Sequence, residues 1–216
     1  MFPSLSQEIQ DELIQLAHTY GNPIVRTVDL GISTAFDPLN KTDRYGEVCM
    51  VVRRPDGRLL TMVKTFYPLN AYRLLTGGIN FGERVYDALL RETHEETGLE
   101  VKISRFLAAI AYDLNHEHET PVFYSFAFLL DETGGTLGVI DEDERVEAFR
   151  EVAVEDLPML AERLRHIQHQ PSRQIGGNWH DWGNFRAVVH EAVYEALGGM
   201  DATDGRPQGI APTIPD

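Results

Sequence analysis

Cys49 is the only cysteine in 216 residues. An intramolecular disulfide is therefore excluded, and a reducing compartment fits that usage. No apolar run approaches the roughly 20 residues that a membrane helix needs. Residues 1–11 lack the basic n-region and the long apolar h-region of a secretory signal. These absences predict a cytoplasmic location and no membrane partner. Positive charge is also scarce, with 19 Lys and Arg against 34 Asp and Glu and a formal net charge of −15. Such a surface repels a nucleic-acid backbone, so a nucleic-acid duplex is not expected as a partner. A phosphate-ester substrate would meet the same repulsion, unless local positive charge, usually a divalent metal, offsets it. The chain also lacks internal repeats and any clear domain boundary.

What is present is ordinary for a globular chain: 43% apolar and 25% charged residues, with length for one domain and a sizeable core. Ile9, Leu13, Leu16 and Ala17 recur at helical spacing, which predicts a helix over 5–20, stopped by Gly21 and Pro23. Strands are expected at 23–34, 47–54 and 58–66, the last two joined by Pro55-Asp56-Gly57. Residues 35–44 read as loop. So do 73–81, because of Gly77 and Gly78. A helix follows over 83–97 and ends at Gly98, a natural cap. Strands are expected at 101–112, 122–130 and 146–154, with a polar loop at 114–121 and an acid- and Gly-rich stretch at 131–144. Helices are expected at 155–168 and 184–197. The expected organisation is an N-terminal helix (1–22), a main domain (23–197) and a flexible tail (198–216). Strands before and after the central helix predict an α/β (α+β) fold with a mixed β-sheet covered by helices.

One segment carries chemistry. It runs Gly77-Gly78-Ile79-Asn80-Phe81-Gly82-Glu83, then seven residues, then Arg91-Glu92-Thr93-His94-Glu95-Glu96-Thr97-Gly98-Leu99. A helix turns about 100° per residue, so Glu92, Glu95 and Glu96 share one face. Val85, Tyr86, Leu89 and Leu90 take a neighbouring face that can pack on a sheet. Carboxylates three and four residues apart repel each other. A hard cation such as Mg²⁺ or Mn²⁺ would relieve that repulsion, whereas a plain solvated face would simply tolerate it. Gly77 and Gly78 allow a tight turn whose carbonyl could reach the same ion.

The full spacing resembles the Nudix box: Gly, five residues, Glu, seven residues, Arg-Glu-apolar-any-Glu-Glu-any-Gly-apolar. Gly77, Glu83, Arg91, Glu92, Glu95, Glu96, Gly98 and Leu99 stand at its positions. At average composition, the seven fixed identities arise by chance about once in a million such chains. Two departures are Thr93, where the family prefers an aliphatic residue, and Asn80, where many members carry Glu. The resemblance covers residues 77–99 and implies an αβα sandwich and a hydrolase. Its substrate would be a nucleoside diphosphate linked to another group. It further implies Mg²⁺ (or Mn²⁺) held by Glu92 and Glu96, with Glu95 supporting and the Gly77 carbonyl adding an oxygen. Glu83 and Arg91 would form an ion pair between loop and helix. The base that takes the water proton is drawn in the family from the box helix or from a later loop. Glu92 is the first candidate, and Glu142 or Glu144 the second, against a solvated acidic loop.

Substrate contacts are expected from Tyr67, Tyr72, Arg73 and Tyr112, as aromatic or guanidinium partners of a small nucleotide-like diphosphate. An ADP-sugar specificity would place Pro some fifteen residues beyond the box, but Leu114, Asn115 and His116 stand there. Tyr112 lies early for the Tyr that marks dinucleoside polyphosphate members. His116 with His118, and His166 with His169, read as surface histidines rather than a zinc site. Trp179 and Trp182 read as core or dimer packing, and the first helix could mediate a homodimer. A nucleotide sensor that does not cleave is the rival reading, although sensors of this family usually lose a box Glu and none is lost here.

Overall fold

The structure is a computed structural model that describes residues 2–31, 39, 42–113 and 122–201, the side chains of Glu142 and 199–201 excepted. The predicted loop at 114–121, with His116 and His118, and nearly all of the predicted tail lie outside the described residues.

Local chemistry starts and stops the helices. Ser6 caps α1 (Gln7–Tyr20) by accepting from the Ile9 amide, and Gly21 ends it. Helix α2 (Val85–Thr97) ends at Gly98, which takes a left-handed φ of 65° and donates its amide to the His94 carbonyl. Helices α3 (Leu157–Arg165) and α4 (Trp179–Asp201) flank a two-stranded hairpin, β8 (Pro171–Ser172) with β9 (Gly177–Asn178).

The seven longer strands are β1 (Ile24–Asp29), β2 (Arg44–Arg53), β3 (Leu59–Lys64), β4 (Arg73–Asn80), β5 (Leu99–Asp113), β6 (Phe123–Gly135) and β7 (Val146–Val152). They form one mixed sheet in the order β1-β5-β6-β2-β4-β3-β7, parallel at β1–β5 and β2–β6 and antiparallel elsewhere. Alternation along β2 divides the core between its two faces. Val48, Met50 and Val52 join the apolar side chains of α1 and α2 on one face, whereas Cys49 and Val51 join those of α3 and α4 on the other. The sheet is therefore the middle layer of an αβα sandwich. Among the described residues no helix is long and apolar enough to cross a membrane.

The structure corrects the reading of residues 73–81 as a loop. Residues 73–80 form β4, paired with β2 and β3, and only Phe81 turns. Its glycines do not turn the chain; they let side chains cross it closely. A Cβ on Gly77 would lie 2.1 Å from the Glu92 side chain, and one on Gly78 would lie 2.3 Å from the Arg44 guanidinium. Strand β6 also runs on to Gly135, into the stretch expected to be acidic loop. Helix α4 starts earlier than expected because Asn178 accepts from the Asp181 amide at 2.9 Å, an N-cap contact. It continues to Asp201, past the expected start of the tail.

Candidate active site

Arg91, midway along α2, organises one wall of the site. Its Nε and Nη2 donate to the two Glu83 carboxylate oxygens at 2.8 and 2.9 Å. Nη2 also donates to the Gly78 carbonyl at 3.0 Å, and Nη1 to Glu92 at 2.8 Å and Glu95 at 3.0 Å. One planar guanidinium thus ties loop, strand and helix together. Glu83 closes the loop by also accepting from the Asn80 amide at 3.0 Å. Partial burial pushes Glu83 upward, but the Arg91 and Asn80 hydrogen bonds outweigh it and hold the carboxyl below its ordinary range.

The helix face divides its acids by depth. Glu95 is a third exposed, Glu92 is nearly buried, and Glu96 is sealed at 0% exposure. Neither Glu96 oxygen has a hydrogen-bond partner among the described residues, although Oε1 lies 3.3 Å from Lys64 Nζ. Burial pushes Glu96 up to about 7, against the pull of Lys64 and Arg73. Burial also raises Glu92. Lys64, at the end of β3, reaches Glu144 at 2.6 Å as well. Burial pushes Glu144 upward too, but Lys64 prevails and keeps it ionised below its ordinary range.

The donor chemistry of this wall fits a hard divalent cation. Glu92, Glu95 and Glu96 supply carboxylate oxygen, and two of those oxygens are buried without a hydrogen bond. Such groups are costly unless something satisfies them. Arg91 and Lys64 supply the countercharge in this structure, and among the described residues no three acids, histidines or cysteines are already gathered as a metal-ligand cluster. The Gly77 carbonyl belongs to a strand of the sheet rather than to a turn.

A pocket of about 240 Å³ separates this wall from a second one. Glu92 and Glu144 face it from the acid side, and Arg44, Lys64, Arg73 and Arg186 supply cations around it. Arg73 is buried and pinned by Tyr67 Oη at 2.7 Å, the Leu74 carbonyl at 2.7 Å and Thr76 Oγ1 at 3.0 Å. Arg186 comes from α4 and meets both oxygens of buried Glu47 at 2.8 and 2.7 Å. Ser125 Oγ donates to the same Glu47 at 2.8 Å. The Arg186 Nε has no hydrogen-bond partner among the described residues. Beneath it, His190 accepts from the Leu74 amide at 3.0 Å and pairs with the Arg186 carbonyl at 2.8 Å, so its proton sits on Nδ1.

The structure therefore brings Arg73, Glu92 and Glu144 to the pocket, while Glu95, a third exposed, and buried Glu96 do not line it. Tyr112 is elsewhere. It is fully buried, with its ring 4.8 Å from Phe185, and does not line the pocket. Tyr67 lines the pocket, packs 4.7 Å from Trp182, and joins Phe66 and Trp179 in one aromatic cluster. Both tryptophans are core residues. Sequence reasoning missed Arg44, Glu47, Lys64 and Arg186. Arg186 and His190 did carry a signal: polar residues on the stripe of α4 that also holds Trp182, Val189 and Val193.

The NUDIX domain model matches residues 44–174 of the chain. Nudix hydrolase 6 of Arabidopsis thaliana is 24% identical over 122 residues, covering 55% of this chain and 42% of that protein. ADP-ribose pyrophosphatase of Methanocaldococcus jannaschii is 32% identical over 107 residues, covering 49% of this chain and 60% of that protein. The chain thus spans about half the length of these curated relatives. Among solved structures, a UDP-X diphosphatase aligns with a TM-score of 0.46 at 15% identity, covering 74% of this chain and 66% of that one.

Proposed function

This chain belongs to the Nudix family, and we propose that it is a metal-dependent hydrolase that cleaves the diphosphate linkage of a nucleoside diphosphate carrying another group. The observation that carries this reading is local charge. A chain of net charge −15 gathers Arg44, Lys64, Arg73 and Arg186 around one pocket that Glu92 and Glu144 also face. That arrangement suits a bound polyanion beside a cation-binding face.

Glu92, Glu95 and Glu96 would hold Mg²⁺ or Mn²⁺. Bound there, such an ion supplies charge against the diphosphate and makes a water more acidic. The chain's own residues do the rest. Arg73 and Arg186, locked by their buried partners, orient the phosphoryl oxygens. Arg91 and Glu83 fix the acids relative to β4. Glu92 and Glu144 both face the pocket, and either can take the proton from the attacking water. Glu144 is already ionised beside Lys64, whereas Glu92 shares Arg91 with Glu95.

The test is release of phosphate or nucleoside monophosphate from a panel of nucleoside diphosphate derivatives, with Mg²⁺, with Mn²⁺ and with chelator. Metal-dependent turnover of a panel member is expected. Metal-dependent nucleotide binding without cleavage of any member would instead make the chain a sensor.

A further inference from the structure

A second cavity, of about 780 Å³, lies against the first and falls in the size range of small-molecule sites. Its roof is the start of the chain. Ser4 Oγ and Tyr124 Oη hydrogen-bond at 2.5 Å. Glu12 of α1 accepts from the Val85 and Tyr86 amides at 3.0 Å each, which fixes α1 over the start of the box helix.

The lining is aromatic where it meets the box. Tyr45, Phe81 and Tyr124 all contribute, and the Tyr45 and Phe81 rings lie 6.1 Å apart. Phe81 is 63% exposed although it stands in the turn between β4 and α2, within the box segment. The Tyr45 hydroxyl is buried and has no hydrogen-bond partner among the described residues. Burial, with Glu12 and Glu83 nearby, raises its pKa, so the group stays a donor at neutral pH. An exposed ring and the ring of a tyrosine whose buried hydroxyl has no partner among the described residues line one space.

Charge says what that space takes. Glu8, Asp11, Glu12 and Glu83 line it against Arg44 and Arg84. A second phosphate is therefore disfavoured, and a neutral planar ring is suited. Arg44 lines both cavities, with its guanidinium close over Gly78. A phosphate held on the inner side of Arg44 would carry its organic group into the aromatic space.

We propose that the Tyr45–Phe81–Tyr124 cavity binds the nucleobase of the same molecule whose diphosphate occupies the cationic pocket, with Arg44 at the junction. This rests on the hydrolase reading above and deepens it, since it says which residues hold the nucleoside part of the substrate. Phe81 stacks on the base and Tyr45 donates to it.

Equilibrium binding of adenosine, ADP and inorganic pyrophosphate to the full chain, to Phe81→Ala and to Tyr45→Phe tests the assignment. Phe81→Ala should weaken ADP and adenosine by about tenfold, the scale of one base–aromatic stack, and change pyrophosphate by less than about twofold. Tyr45→Phe should weaken ADP with its fold unchanged. Equal affinity for ADP and pyrophosphate, insensitive to both substitutions, would overturn the proposal. So would a second ADP per chain that pyrophosphate does not displace, because the cavity would then be a separate site. Failure of the hydrolase reading looks different. Pyrophosphate would not bind the unmodified chain, whereas adenosine would still bind and still depend on Phe81, which supports the aromatic site alone.

Discussion

The two walls of the cationic pocket are built in opposite ways. Apart from Glu144, the acid wall comes from one stretch, residues 77–99, in which Glu83, Glu92 and Glu95 are cross-tied by a part-exposed Arg91. The cation wall is assembled from the ends of β2 and β3, the start of β4 and the middle of α4, and its central pair, Glu47 with Arg186, is buried on both sides. The Arg91 network is part-exposed and tolerates rearrangement, so a cation can displace Arg91 from Glu95 at modest cost. A buried pair cannot lose one member without stranding the other. The first wall is thus suited to exchanging ions, and the second to holding a fixed shape.

The difference predicts that substitutions on the acid wall remove activity and spare the fold. Glu96→Gln keeps the shape and removes a buried charge that has no hydrogen bond. Turnover should fall by roughly a hundredfold or more while stability is kept or improved. Near-normal turnover at saturating Mg²⁺ would remove Glu96 from the ligand set. Glu144→Gln separates the two candidate bases: a large fall in rate assigns the proton transfer to Glu144, and an unchanged rate returns it to Glu92.

Arg186→Met probes the other wall and should do the reverse. Glu47 would be left buried without its cation, at a cost of about 3–5 kcal/mol in denaturant unfolding. Adding Glu47→Gln should restore much of the stability but not the activity, since the phosphate contact is still missing. Recovery of both together would make Arg186 purely structural.

These walls also differ in how far the sequence disclosed them. Glu83, Arg91, Glu92, Glu95 and Glu96 interact within a span of local spacing, so their arrangement could be read from helical periodicity and the motif. Arg44, Lys64 and Arg186 meet only because β2, β3 and α4 pack around β4, and spacing along the chain encodes none of that. Most of the elements and a mixed sheet covered by helices followed from apolar patterning, and the αβα sandwich from the resemblance. The reading of 73–81 as a loop failed because Gly signals both turning and close approach. Here it serves approach, with Glu92 and Arg44 lying against bare Cα atoms. Tyr112 was placed at the site by its position at a strand end, but β5 runs under α4 and carries it into the core.

His190 sharpens the same contrast through pH. Burial lowers it to about 4, from an unfolded value near 6.5. Folded and unfolded chains are both neutral there above pH 6.5, so its contribution is complete. Between 6.5 and 4 the unfolded chain binds the proton first, and stability falls by about 3 kcal/mol. The stability difference between the unmodified chain and His190→Gln should therefore shrink as pH drops from 7 to 4. A constant difference would mean that His190 titrates normally and that α4 opens locally.

The smallest effect belongs to Glu12, which links the N-terminal helix to the acid wall. Its carboxylate occupies the amino end of α2, where a negative charge meets two free amides and the positive end of the helix dipole. Glu12→Gln keeps one acceptor and loses the charge, which should cost about 1–2 kcal/mol. Because α1 sits on Glu12, the same change should loosen the roof of the aromatic cavity more than it disturbs Arg91. Adenosine affinity should then fall further than pyrophosphate affinity. An equal loss of both would mean that the start of α2 positions the acids directly, and that the two cavities share one support.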